Sequence, residues 1–465
     1  MAIPPKSASE QLQDLALDED YALTPEFVRM VVDAADAGDG ARLKALMGAL
    51  HPADVADLMG FLSAEDRREI VPHIAPEALA EILSELDTSI REDILENVAP
   101  ATLAKALEEL DSDDAVDLVE DLEDDKRAEV LAAMDEGDRT AIETALSYED
   151  ETAGRLMQRE VLAAPEFWTV GQTLDYIRQA GDEAPELFFD VYVVDPANRP
   201  IGAAAVSQLV RAAPETALRE VMEPVTEIPV DLDQEEVAYI FDKYHLISAP
   251  VVDDAGRLVG QITVDDVVGV IQEETEEDIL ALAGVSDAGR DAGIASIVRS
   301  RLPWLLLNLA TETVAVSVIG VFQSEINKLV TLAILMPIVA SLGGNAGTQT
   351  LAVAVRALAS RELNAANATR IVMREMWVGI LNGGALAVAM SIATYVFFHD
   401  WRLSLTIALA LVTNLFVASV AGILAPLTLD RFGRDPAVSS SVFVTFVTDF
   451  MGFLSFLGLA ALILL

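Results

Sequence analysis

Two acidic side chains sit where water should be scarce. Asp449 lies in SSSVFVTFVTDFMGFLSFLGLAALILL, with no other charge from Ser440 to the last residue, and Glu312 lies in LPWLLLNLATETVAVSVIGVF. A carboxylate inside lipid is costly, so each needs a counter-charge, a hydrogen-bonding partner or an aqueous passage. No Lys or Arg falls within these apolar runs. That leaves a cation facing Asp449, or a protonated Asp held by hydrogen bonds. Asp435-Pro436 is a good N-cap and N1 pair for the last run, and a helix begun there lifts Asp449 about 21 Å, well inside a bilayer. Thr445, one turn earlier, and Thr448 make the same wall polar. Asn308 and Glu312 are spaced i, i+4 with Thr311 adjacent, a polar face that suits a pore lining or a helix–helix hydrogen-bond network equally. Asn382 and Asn414 read as packing glue between helices.

A third feature is SLGGNAGTQTL, residues 341–351. Its glycines permit close helix approach or a local break, while Asn345, Thr348 and Gln349 present polar groups at membrane depth. Irregular backbone there is tolerated only when it is buried or faces water. The remaining chemistry is acidic: DSDD (111–114), EDLEDD (120–125) and EETEED (273–278) are solvated faces, a salt adaptation or cation sites. Zero Cys excludes disulfides, thiolate metal sites and cysteine nucleophiles. Four scattered His make a histidine-rich metal site improbable. No nucleophile–base constellation or phosphate-cradling loop argues for an enzyme.

The elements that must carry these residues separate by charge. The chain holds 30 Lys+Arg and 76 Asp+Glu, a formal charge of −46, yet is 52% hydrophobic. Residues 301–465 hold 9 basic and 8 acidic residues, which leaves 21 and 68 to residues 1–300. An acidic soluble region is joined to a membrane domain, and so negative a surface suits cations rather than nucleic acid. Five apolar spans run near Leu302–Phe322, Leu329–Leu351, Met376–Phe398, Leu403–Leu429 and Ser440–Leu465. With residues 1–300 inside, Arg299, Arg301, Arg356, Arg361, Arg370, Arg374, Arg431 and Arg434 fall on the inner side, against Lys328 and Arg402 outside. That distribution obeys the positive-inside rule and places the C-terminus outside. The N-terminus lacks a signal-peptide apolar core, so the soluble region is expected in the cytoplasm.

Within the soluble region, residues 51–74, 75–98 and 99–122 repeat with a period of 24, aligning Pro52, Pro76 and Pro100. Two short helices per unit predict a small α-solenoid, which by itself would serve as an interaction scaffold. From about Val161 to Asp278, short β-branched runs alternate with helical ones: strands are expected at 190–195, 201–206, 227–230, 248–253 and 260–264. The stretch ending in Gly260, Thr263 and Asp266 resembles a cystathionine-β-synthase (CBS) module. An earlier copy resembles it in outline but has Gln208 where Asp266 stands.

An acidic helical-repeat domain, paired CBS modules, a linking helix, five spans, GGNAGTQ and an Asp in TDFMGFLSFLGLA together resemble the MgtE family of magnesium channels, over essentially the full chain. The resemblance implies a multidomain fold: a tail (1–20), a cytoplasmic all-α helical-repeat domain (21–150), an α/β tandem CBS pair (151–278), a linking plug helix (279–300) and a five-helix α-helical transmembrane domain (301–465). It implies a homodimer in the inner or plasma membrane with a central cation pathway. Asp449 matches the family's pore carboxylate, with the Thr445 carbonyl beside it and Asp435 near the inner mouth. Glu81, Asp113 and Asp117, with Asp233, Glu235, Asp266, Glu274, Glu277 and Asp278, are implied as regulatory Mg²⁺ ligands. Thr263 and Asp266 are where ATP, the nucleotide paired CBS modules commonly sense, would bind.

Facing carboxylates repel by about 4 kcal/mol per pair at 4 Å for an effective dielectric of 20, so a bridging divalent ion favours the compact arrangement. The segment 279–298 is apolar enough to pack beneath the spans and occlude the pore when those sites hold Mg²⁺; the alternative is a passive connector. A carrier for another divalent ion such as Co²⁺, an ion-coupled exchanger, and a membrane-anchored nucleotide sensor remain open as alternatives.

Overall fold

The structure, a computed structural model, describes residues 12–464 except 14, 182–184, 186, 286–293, 364–366 and 438–439. It divides into one compact unit up to Gln272 and a second from Glu273.

The first unit opens with helix pairs: α1 (Pro25–Asp36), α2 (Gly40–Met47), α3 (Pro52–Phe61), α4 (Ala64–Ile70), α5 (Pro76–Ser84), α6 (Thr88–Asn97), α7 (Pro100–Leu107), α8 (Ser112–Glu120), α9 (Asp124–Ala133) and α10 (Glu136–Ala145). Pro52, Pro76 and Pro100 each take the first helical position, where the missing N–H has no intrahelical partner to lose. The 24-residue sequence period is therefore a structural one. It also runs one unit further than the sequence repeat, because α9 and α10 start 24 residues after α7 and α8. Asp124 in place of a proline conceals that unit. One hairpin cannot bury its own apolar stripe, so Val55, Met59, Leu83, Leu103, Leu118 and Ile142 from successive units merge into a single core.

After the short α11 (Ala153–Leu156) the chain builds two sheets of identical topology. The first contains β1 (Ala163–Pro165), β2 (Asp190–Val194) and β3 (Pro200–Ala205), with α12 (Val170–Ala180) after β1 and α13 (Val206–Arg211) and α14 (Leu218–Val221) after β3. The second contains β4 (Ile228–Pro229), β5 (Ser248–Val252) and β6 (Leu258–Thr263), with α15 (Gln234–Tyr244) after β4 and α16 (Val264–Leu282) after β6. In each, the first strand is parallel to the second and the second antiparallel to the third, with the register irregularity at the same place, Val193/Val194 and Val251/Val252. The hairpins match as well. Asp195 Oδ1 accepts from the Ala197 and Arg199 amides, as Asp253 Oδ1 does from Ala255 and Arg257. The first copy, only an outline in sequence, is thus a full structural duplicate. It departs at Gln208, which donates to Glu223 Oε1 instead of capping its helix.

The second unit holds α17 (Ile294–Val321), α18 (Gln323–Lys328), α19 (Thr331–Ala359), α20 (Ala368–Phe398), α21 (Trp401–Arg431) and α22 (Ser440–Ile463). All but α18 are long and apolar enough to cross a membrane. Helix α21 is the most enclosed, and its Leu403, Ile407, Leu411 and Leu415 join Leu335 of α19 and Phe456 of α22 in the core. One open alternative is resolved here and two local expectations are corrected. The glycine-rich 341–351 is continuous α-helix within α19, so its glycines serve close packing and not a break. The last helix does not begin at Pro436: it is described from Ser440, and the Asp435 carboxylate instead accepts from the Ala437 amide at 2.7 Å, closing a turn. The linker is not one helix over 279–300. Residues 279–282 end α16, a turn follows with Gly284 at φ +68°, and 286–293 lie outside the described residues.

Leu103, 1% exposed, is shared between neighbouring repeats. Leu103→Ala should destabilise the solenoid by about 2–4 kcal/mol. Amide exchange in the full chain should accelerate across α5–α9 and stay unchanged in α19–α22.

Candidate functional site

Helix α22 buries Val444, Thr448, Gly452, Phe456 and Ala460, one stripe at i, i+4 spacing. Asp449 therefore stands beside the packed stripe and is half-buried. Counted from Ser440 it lies about 14 Å along the helix, still within hydrocarbon depth. Its neighbour is another acid: the carboxyls of Asp449 and Glu312 of α17 stand within hydrogen-bonding reach of each other. The two helices are held by Ala315 and Val318 against Phe446, Phe450 and Phe453. One turn before Glu312, the Asn308 side-chain oxygen is buried with no partner among the described residues. Sequence treated Glu312 and Asp449 as separate features, and their juxtaposition is visible only in three dimensions.

The threonines are engaged locally. Thr445 donates to the Ser441 carbonyl and Thr448 to the Thr445 carbonyl, each at 2.9 Å. The Thr445 carbonyl thus accepts a hydroxyl in addition to its helical N–H, which occupies both of its lone pairs. On α19, Gly343, Gly347 and Thr350 are buried, whereas Asn345, Thr348 and Gln349 share the exposed side. A Cβ on Gly343 would collide with the Asn414 amide, and one on Gly347 would come 2.6 Å from Val444 Cγ1. The glycine side is a helix crossing, and the polar side is left for water or another chain.

At one end of these spans Asp278, near the C-terminus of α16, meets Asp435. Burial, then repulsion from Asp435 and Glu277, pushes the Asp278 carboxyl above its ordinary range. Ala281 and Leu282 pack with Leu351, Val355, Ala425, Ala437 and Val444, so the end of α16 seats against α19, α21 and α22. Glu274 and Glu277 precede this contact, Glu277 exposed to solvent.

In the first unit, the opening turn of α8 brings Asp113 and Asp114, with Asp111, to Asp266 in the opening turn of α16. Asp266 Oδ2 accepts the Thr263 hydroxyl at 2.7 Å, so Thr263, itself buried, is committed to the helix cap. Burial followed by mutual repulsion raises Asp113 well above its usual range and Asp114 to about 7. Burial, opposed by the Thr263 bond, carries Asp266 to about 6. Asp117 is instead held by the buried Arg91 at 2.6 Å, together with Asp121. Glu81 is exposed on α5, and it is Glu85 of that region whose charge bears on Asp114. Asp233 caps α15 by accepting from the Glu235 amide, both exposed. Sequence missed Asp111, Asp114 and Glu85, although DSDD marked the place. Among the described residues no three His, Asp or Glu converge into a ready metal cage.

Polar links join the two halves of the CBS pair, among them the Leu258 amide donating to the Asn198 carbonyl at 2.8 Å. Tyr192 donates to Ser248 Oγ at 3.0 Å, and Ser248 donates to Asp190 Oδ2 at 2.7 Å.

Comparison with known proteins agrees with this architecture. Residues 336–459 match the family described as divalent cation transporter (MgtE), residues 50–151 the MgtE intracellular N domain, and residues 218–273 the CBS domain. The chain is 35% identical to the magnesium transporter MgtE of Thermus thermophilus, over 70% of this chain and 73% of that one. It is 32% identical to the namesake from Enterococcus faecalis, over 69% and 71%. The crystal structure of the cytosolic domain of the Mg²⁺ channel MgtE in complex with ATP is 34% identical, covers 52% of this chain and 99% of that one, and superposes with a TM-score of 0.50.

A carboxyl raised in the folded state binds more protons there than when unfolded, so folding stability falls as pH rises between the two values. From an ordinary value near 4 to the folded values of about 6 and 7, the α8–α16 contact should loosen as pH climbs through roughly 4 to 7. In the full chain without divalent ions, amide exchange in Ser112–Glu120 should quicken over that window, and millimolar Mg²⁺ should slow it again at pH 7.5.

Proposed function

This chain belongs to the MgtE family of magnesium transporters, and on that premise we propose that it conducts Mg²⁺ through a homodimeric pore closed from the cytoplasm by bound Mg²⁺. The observation that carries the proposal is the Glu312–Asp449 carboxyl pair in the middle of two apolar helices. The basic residues of the spans lie toward helix ends, so a cation in transit is the natural partner for those acids. Mg²⁺ sheds its water reluctantly, and a wide site with carboxylates from two subunits attracts the hydrated ion without a full protein cage. The exposed face of Asn345, Thr348 and Gln349 gives that passage a hydrophilic wall.

The regulatory half of the proposal rests on α16. It has Asp266 in its first turn against Asp113 and Asp114, and Asp278 near its end against Asp435. Divalent ions at these carboxylates relieve the repulsion, hold the end of α16 seated under the spans, and occlude the pathway. Glu274 and Glu277 add negative charge beside Asp278; Glu81, Asp117, Asp233 and Glu235 contribute more distant field. ATP at the CBS pair is proposed from the related cytosolic domain solved with that nucleotide. The soluble domains lie in the cytoplasm, the C-terminus outside.

Mg²⁺ flux into proteoliposomes tests conduction. Asp449→Asn should lower it at least tenfold and Glu312→Gln less, whereas a membrane-anchored nucleotide sensor would tolerate both. Competition by Co²⁺ and dependence on a proton or Na⁺ gradient separate the carrier and exchanger alternatives. For gating, the Glu277→Gln/Asp278→Asn double variant should keep conducting at internal Mg²⁺ that shuts the native chain. Unchanged Mg²⁺-dependent closure would refute the role given to α16.

A further inference from the structure

Between the arginine-rich ends of α19, α20 and α21 lies a cavity of about 210 Å³. Its walls include Val353 and Ile371, and its polar groups include Arg356, Arg374, Glu362 and Glu375. Arg356 Nη2 meets Glu362 Oε2 at 3.3 Å, and Arg374 Nη2 meets Glu375 Oε1 at 3.2 Å. The pairs are unequal. Glu375 is buried, its side chain only 11% exposed, whereas both guanidiniums reach outward at 75% and 64%. A buried carboxylate beneath an exposed arginine fixes where that arginine stands, while the exposed Arg356–Glu362 pair is the weak kind that another anion displaces. A guanidinium has five N–H donors, and one carboxylate uses only some of them.

The surroundings name the class of anion. From Arg356 to Glu375 the chain carries four arginines and two glutamates, so the segment stays positive after its internal pairs are made. One turn beyond Arg374, Trp377 is exposed, followed by exposed Val378 and Leu381; Val353 is exposed one turn before Arg356. A tryptophan one turn from an arginine at the start of an apolar span marks headgroup level, and the apolar surface beyond it offers a path for acyl chains. Basic pockets between spans on the positive side suit lipid phosphates.

We infer that this cavity is a binding site for the phosphodiester of an anionic phospholipid, clasped between Arg356 and Arg374 with its acyl chains along α19 and α20. The inference rests on the five helices crossing a bilayer and is independent of which ion is transported.

The test is retention of phosphatidylglycerol by the full chain in mild detergent, read by native mass spectrometry against phosphatidylcholine. The native chain should retain phosphatidylglycerol at least tenfold better than phosphatidylcholine, and Arg356→Gln/Arg374→Gln should lose that preference. Arg356→Gln alone, at a side chain three-quarters exposed and so dispensable for folding, should cost about threefold, keeping the test decisive if the double variant fails to accumulate. Glu362→Gln should retain the lipid at least as well as the native chain. Equal retention of both lipids by the native chain, unchanged preference in the arginine variants, or displacement of the lipid by millimolar inorganic phosphate would each overturn the site. Retention is read without flux, so a chain that failed to conduct Mg²⁺ would still answer the question.

Discussion

A carboxylate away from water needs positive charge nearby, and this molecule places carboxylates where protein supplies almost none. In the spans, Asp449 has Glu312 as its close polar neighbour. A single buried acid is satisfied by one hydrogen-bond donor; two acids facing one another are satisfied by a proton shared between them or by a cation. The surrounding helices are organised around that requirement. Their packed faces are mainly aliphatic, aromatic or glycine, with Thr350, Asn414 and Thr448 among them, their arginines sit near the helix ends, and Asn345, Thr348 and Gln349 share one exposed side of α19.

The same constraint recurs at the acidic contacts outside the spans. Asp113, Asp114 and Asp266 are pressed together by the packing of α8 and the CBS pair, and Asp278 is pressed toward Asp435 by the seating of Ala281 and Leu282. Apolar burial supplies the force that assembles each contact; electrostatic repulsion opposes it. A contact balanced in this way responds steeply to anything that screens the charge, whether proton or divalent ion. Asp117 and Asp121 show a different arrangement, since Arg91 lies within 2.6 Å of both and offsets one of their two charges.

Sequence gave access to whatever is local or periodic. The proline at the first position of α3, α5 and α7, the short β-branched runs of β2, β5 and β6 and the apolar length of the spans are all written in consecutive residues. The fourth repeat was hidden because its helix starts on Asp124, where no proline marks the register. The glycines of 341–351 allow a break as readily as a crossing, and only the neighbouring Val444 and Asn414, distant in sequence, decide for the crossing. Long-range pairing was out of reach for the same reason. Nothing in the spacing of Glu312 and Asp449 says that α17 lies against α22, and nothing in the acidic runs says that Asp114 faces Asp266 while Asp117 turns to Arg91.

The position of the Asp449 carboxyl is set by residues that carry no charge. Helix α22 approaches α19 where Gly347 meets Val444 and Thr448, and approaches α21 where Gly452 receives the Asn414 side chain, which itself donates to the Val339 carbonyl at 2.9 Å. These contacts lie on either side of Asp449 along the helix and admit no added methyl group, so the aspartate cannot slide or rotate without breaking backbone-close packing. Glu312 is constrained differently. Its helix α17 is mostly exposed and touches α22 through phenylalanine rings, which re-pack more readily than glycine crossings. One carboxyl is thus anchored by shape and the other is held on a looser helix, and the span between them is governed by how α17 packs rather than by α22.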